Sequence, residues 1–100
     1  MLSARIGPWF NGEAFDYQEL TVDNTVRTLD AAKVAICEYA WFQVAGGTIR
    51  MTLHSVDPTT TFGIQIFDME QFESLRRTVA KLRFIREGAV NGTIRAVYYR

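Results

Sequence analysis

The sequence predicts an antiparallel, all-β domain, a sandwich or a barrel-like fold with at most one or two short helical turns. Three observations carry that expectation. Apolar and polar residues alternate in GTIRMTLH (47–54), FGIQIF (62–67), KLRFIRE (81–87) and TIRAVYYR (93–100), the period of a strand with one buried face. Turn-forming residues separate the runs at Gly46-Gly47, Asp57-Pro58 and Asn91-Gly92. One hundred residues, 48% of them hydrophobic, suffice for one modest core and not for two domains, so 1–100 reads as a single unit.

Residues 1–23 read as an extension or arm that contacts neighbours, with FDYQELTV (15–22) as an edge strand within it. DNTVRTL adds a short strand through Val26 and Thr28. Asp30 is an N-cap residue ahead of Ala31, Ala32 and Lys33, which predicts a single helical turn near 30–33. The stretch from about 35 to 44 is apolar on both alternating faces, as a buried central strand would be, and turns at Gly46-Gly47 into the next strand. Phe62, Ile64 and Ile66 share one face of the following strand. In EQFESLRRTVAKL, Phe72, Leu75, Val79 and Leu82 share a helical face, which predicts one short turn near 74–79. Leu82 and Phe84 then oppose Lys81 and Arg83. Asn91-Gly92 predicts a tight hairpin into the last strand, where Ile94, Ala96 and Tyr98 oppose Arg95, Val97 and Tyr99.

The formal net charge is zero, which argues against a general electrostatic nucleic-acid binder. Charge is nevertheless unevenly placed. Residues 1–73 hold four Lys/Arg against ten Asp/Glu, while 74–100 hold seven against Glu87 alone. Such a chain can present complementary faces to its own copies or to a neighbour, unless the two sets interleave on the folded surface. The single cysteine, Cys37, rules out an internal disulfide. No leader pattern or membrane-spanning apolar run is present, which predicts a soluble protein and no membrane partner.

Candidate chemistry is sparse. His54-Ser55-Val56-Asp57 holds the residue types of a hydrolase triad, but neighbours on an extended segment point apart and no second histidine exists to serve as base. Asp68, Glu70 and Glu73 form an acidic cluster without the spacing of a calcium loop, and one Cys with one His makes a zinc site implausible. The expectation is therefore no catalytic residue, no metal and no cofactor. Arg76, Arg77, Lys81, Arg83, Arg86, Arg95 and Arg100 lie among Phe84, Tyr98 and Tyr99. That mixture can hold single-stranded nucleic acid, yet alternation sends Phe84 into the core, so a protein interface or a solvated face is the better reading. Trp9 and Phe10, after Gly7-Pro8, are candidates to anchor a partner; with Arg76, Arg77, Arg83, Arg86 and Tyr99 they make up the candidate interface.

VDPTTTFG (56–63) is the most distinctive stretch. A phosphate loop needs several glycines, a lysine and a following helix, whereas this stretch has one glycine, no lysine and a strand after it. It reads as a corner, with Pro58 setting the turn and the Asp57 carboxylate accepting a local backbone hydrogen bond.

IRMTLHSVDPTTTFG, followed by LRFIREGAVNGTIRAVYYR, resembles a group of small bacteriophage virion proteins. That group has an Ile-Arg strand leading to an Asp-Pro-Thr corner, an upstream Leu-Thr-Ala-Ala-Lys turn akin to Leu29 to Lys33, and two closing strands of similar pattern. The resemblance covers about residues 25–100 and departs at Ser55-Val56, where the group has Gly-Thr, and at Asp68-Met69-Glu70, where it has Gly-Asp. It implies a β-sandwich with a non-enzymatic role in the virion, as capsid decoration, cement or head–tail connector, assembled in the host cytoplasm. Its implied partners are capsid or connector subunits and copies of itself. A glycan- or host-protein-binding module is the alternative, and would need an exposed aromatic platform from Trp9, Trp41 or Tyr99.

Overall fold

The computed structural model describes residues 12–100, which form two packed antiparallel sheets and two short helices. The strands are β1 (Ala14–Val22), β2 (Tyr39–Gly46), β3 (Ile49–Thr52), β4 (Ile64–Ile66), β5 (Gln71–Leu75), β6 (Arg83–Arg86) and β7 (Gly92–Tyr99); the helices are α1 (Ala31–Ile36) and α2 (Arg76–Val79). One sheet has the order β1-β7-β2-β5 and the other β4-β3-β6. Among these strands only β3 and β4 are both consecutive and paired. The expected all-β sandwich is therefore present, with the chain passing repeatedly from one sheet to the other.

The core follows from strand alternation. Phe42 and Val44 of β2 and Ile94, Ala96 and Tyr98 of β7 face Ile49, Met51, Ile66 and Phe84 of the smaller sheet, all of them buried. Burying each of the larger ones contributes roughly 1.5–3 kcal/mol. Phe72 stacks on its register partner Phe42, with ring centroids 4.6 Å apart. The opposite face of the larger sheet carries a second buried cluster of Tyr39, Trp41 and Tyr99, with Val97 against it.

Asp30 caps α1 by accepting from the Ala32 amide at 2.9 Å, and the helix ends where Cys37 turns extended. The expected turn near 30–33 is thus a six-residue helix, and the central strand starts at Tyr39 rather than near 35. Lys33 ties α1 to the rim of β1, reaching Asp16 at 2.9 Å and the Tyr17 carbonyl at 3.3 Å. Val34, Cys37, Val79 and Leu82 close that end of the core. β1 is the edge strand expected over 15–22, and it is a full member of the sheet, paired with β7 from Ala14↔Tyr99 to Val22↔Gly92.

Residues 23–27 seal one side of the sandwich. Arg27 makes a single bridge to Phe84, exchanging backbone bonds of 2.8 and 2.9 Å, and the Arg86 amide donates to the Asp23 carbonyl at 2.9 Å. This replaces the short strand expected through Val26 and Thr28. The Arg27 guanidinium beside Asp23, with help from Thr25, holds that carboxyl well below the usual carboxylate range.

The short turn expected near 74–79 is present as Arg76–Val79, while Phe72 and Leu75 of the same apolar stripe lie in strand β5, where Phe72 pairs with β2. One further expectation is corrected. Asn91-Gly92 closes no hairpin, since β6 and β7 belong to different sheets. Gly92 is needed for closeness instead: a Cβ there would meet Ile49 Cγ2 at 2.7 Å and the Gly47 carbonyl oxygen at 3.0 Å.

Candidate functional site

The triad residue types do not assemble. His54 and Ser55 are exposed on the loop after β3, and the Ser55 amide donates to the Lys81 carbonyl at 3.1 Å. Asp57 accepts from Arg83 Nη1 at 2.5 Å, so its carboxylate serves a distant partner and not the local backbone expected of it. No hydrogen bond joins the side chains of His54, Ser55 and Asp57 among the described residues. The loop joins two paired strands of one sheet and is anchored by Pro58, whose ring is fully buried, and by the Thr52 hydroxyl, which donates to the Val56 carbonyl.

The acidic cluster is likewise occupied with backbone. Asp68 accepts from the Gly46 amide at 2.8 Å and Glu70 from the Phe67 amide at 2.7 Å, which shapes the corner where the chain crosses from β4 to β5. Met69 sits there at φ +72° and its amide donates to the Val44 carbonyl at 2.8 Å, while the Val44 amide donates to the Glu70 carbonyl at 2.9 Å. No grouping of three metal-ligating side chains occurs among the described residues.

The basic tail separates into two sets. Arg83 pairs with Asp57 and Arg95 reaches Glu19 at 3.6 Å, so these cations interleave with the acidic part of the chain. Arg86 donates to Asn91 at 2.6 Å, and Arg100 lies over the Phe15 ring at 4.5 Å. Arg76, Arg77 and Lys81 are exposed and make no ion pair among the described residues. They cluster on α2 and the turn after it, beside half-exposed Leu75. Glu38 lies against the same ridge, its carbonyl accepting from the Arg76 amide at 3.2 Å. The approach to β5 is acidic, through Asp68 and Glu70, and Glu73 sits at mid-strand, so the charge along it changes from negative to positive.

Of the aromatic candidates, Trp41 and Tyr99 are each only 4% exposed, so neither offers a platform on the surface of this chain. Trp9 and Phe10 lie outside the described residues. Tyr99 contacts Tyr39 edge to face at 5.9 Å.

One surface was missed from sequence. Phe62, Ile64, Phe67 and Met69 are half or more exposed along β4 and its flanks, with Leu53 and Val56 also open on the preceding loop. Alternation places Phe62 and Ile64 on the face of buried Ile66, but the larger sheet does not cover them. Met51, Leu53, Phe62 and Ile64 instead line an open, mostly apolar cleft. The signal was the unbroken lack of charge from Pro58 to Phe67.

Compared with protein-family models, curated proteins and solved structures, the chain matches none.

Proposed function

We propose that the protein is a non-enzymatic building block of a bacteriophage particle, joining capsid or connector subunits through protein–protein contacts. The observation that carries this reading is the ridge of Arg76, Arg77 and Lys81, a set of cations with no ion pair among the described residues, next to exposed Leu75. Charges already paired inside a chain add little to recognition, whereas an unneutralised ridge steers an acidic partner surface and fixes its register. The resemblance of residues 25–100 to small virion proteins names the kind of assembly, and the antiparallel sandwich agrees with it.

The test is to add purified protein to undecorated capsids and to connectors. Binding that weakens with salt, and that the double variant Arg76→Glu/Arg77→Glu loses, supports the proposal. Absence of the chain from purified virions, together with no binding to either particle, would sink it.

A further inference from the structure

We infer that two copies of the chain join edge to edge through β4, so that two three-stranded sheets become one six-stranded sheet across a twofold axis. Among the described strands, the four sheet edges differ in how they are protected. β6 is covered by the backbone bonds from Asp23 and Arg27. β1 carries a bulge between Ala14 and Asp16, charged side chains, and the Lys33 ammonium on its Tyr17 carbonyl. β5 carries Glu73 and runs straight into the basic ridge. β4 is protected only by its shortness, three residues: β3 supplies its only backbone partners among the described residues, and no charge lies between Pro58 and Phe67. Bare, apolar strand edges of this kind pair with another strand.

The edge is also held ready. Arg50 Nη1 donates to the Gly63 carbonyl at 2.9 Å, its Nε donates to Glu87 at 2.9 Å, and Gln65 Nε2 donates to the same carboxylate at 2.7 Å. Gly63 has φ +127°, and a Cβ there would meet the Met51 carbonyl oxygen at 3.1 Å. β4 is thus fixed from its outer face while its edge stays open, which lowers the ordering cost of association.

The occupant is a second copy because the edge complements itself. A twin β4 laid antiparallel about Ile64 sets Ile64 against Ile64 of the second copy, and the Phe62 side chain flanks that seam while its backbone stays in the turn bonded to Thr59. The segment is uncharged and the whole chain has zero formal net charge, so copies meet without repulsion. The area is of the right order. An aromatic side chain offers about 150–250 Å², so half-exposed Phe62, Ile64, Phe67 and Met69 leave on the order of 400 Å² per copy. Leu53, Val56 and the strand backbone bring this toward the ~800 Å² per partner of a stable interface.

The pairing concerns the free protein and stands apart from any role in a particle. Sedimentation equilibrium from low to high micromolar should show a dimer of the 11.4 kDa chain. Ile64→Lys should weaken self-association by about a hundredfold by setting two ammonium groups against each other. Leu75→Lys, an equally exposed position on the β5 edge, should leave the dimer intact, and circular dichroism should show both variants folded. Ile64→Cys should form an intermolecular disulfide under mild oxidation. A wild-type monomer at high micromolar overturns the proposal, as does a dimer that survives Ile64→Lys or is lost only with Leu75→Lys. Association only with a different protein overturns it too.

Discussion

Arg50 and Glu87, thirty-seven residues apart, form the most covered ion pair among the described residues, with an Nε–Oε1 distance of 2.9 Å. Arg50 also holds the Gly63 carbonyl, and Glu87 also holds Gln65. Replacing Arg50 by Met strands a half-buried carboxylate and frees the start of β4, and should lower unfolding free energy by about 1–3 kcal/mol. Asp57→Asn breaks the Arg83 pair, whose partners are 64% and 36% exposed, and should cost less than about 1 kcal/mol. Urea titrations of both variants check the contrast; equal losses would mean that the Arg50 network does not pin the strand.

Gly92 and Gly88 should respond oppositely to the same substitution. Gly92→Ala forces a methyl into Ile49 and the Gly47 backbone and should destabilise by roughly 1–3 kcal/mol. Gly88 has nothing within 4 Å of an added Cβ, so Gly88→Ala should be neutral or gain up to about 1 kcal/mol through the unfolded chain. Thermal melting of the pair decides it.

Burial pushes the Tyr98 hydroxyl well above the ordinary tyrosine range. The sign follows from which state loses the proton first. Below about pH 10 both states are neutral and the contribution is whole; above it the unfolded chain ionises while the folded one resists, so stability falls as pH rises. Tyr98→Phe should flatten part of that alkaline fall. At neutral pH it should cost about 1 kcal/mol, because the hydroxyl donates to Gln18 at 2.7 Å. Burial raises Tyr99 as well, so some slope should persist in the variant.

Cys37 is fully buried at the α1–β2 junction, and burial raises its thiol above the usual range. It is the only thiol in the chain. A thiol-directed chromogenic reagent should label native protein at least about a thousandfold more slowly than unfolded protein, with the rate rising in step with urea. Immediate labelling in native buffer would show that this end of the core opens readily.

What the sequence disclosed was set by how local each cause is. β6 and β7 were legible because alternation alone put Phe84, Ile94, Ala96 and Tyr98 inward, and all four are buried. β5 was not, since Phe72 and Leu75 fit a helical stripe with Val79 and Leu82 until pairing with Phe42 overrides it. Asn91-Gly92 looked like a hairpin because turn chemistry does not say which sheet comes next. The basic cluster was visible as a cluster, but that Asp57 and Glu19 would claim Arg83 and Arg95, leaving Arg76, Arg77 and Lys81 for others, depends on contacts 26 or more positions apart. The exposed β4 edge was hidden for the same reason: alternation names the face of Ile64 and cannot say where the opposite sheet stops.

β7 lies between β1 and β2, far from both in sequence. As the chain leaves the ribosome, β1 therefore emerges before its only partner among the described strands and has to wait for it through some seventy residues of synthesis. The larger sheet cannot nucleate from its amino-terminal side. A message cut short before Gly92 yields no smaller version of the domain, only a chain with open edges for the cell to clear, and closure of the sheet is a single late event.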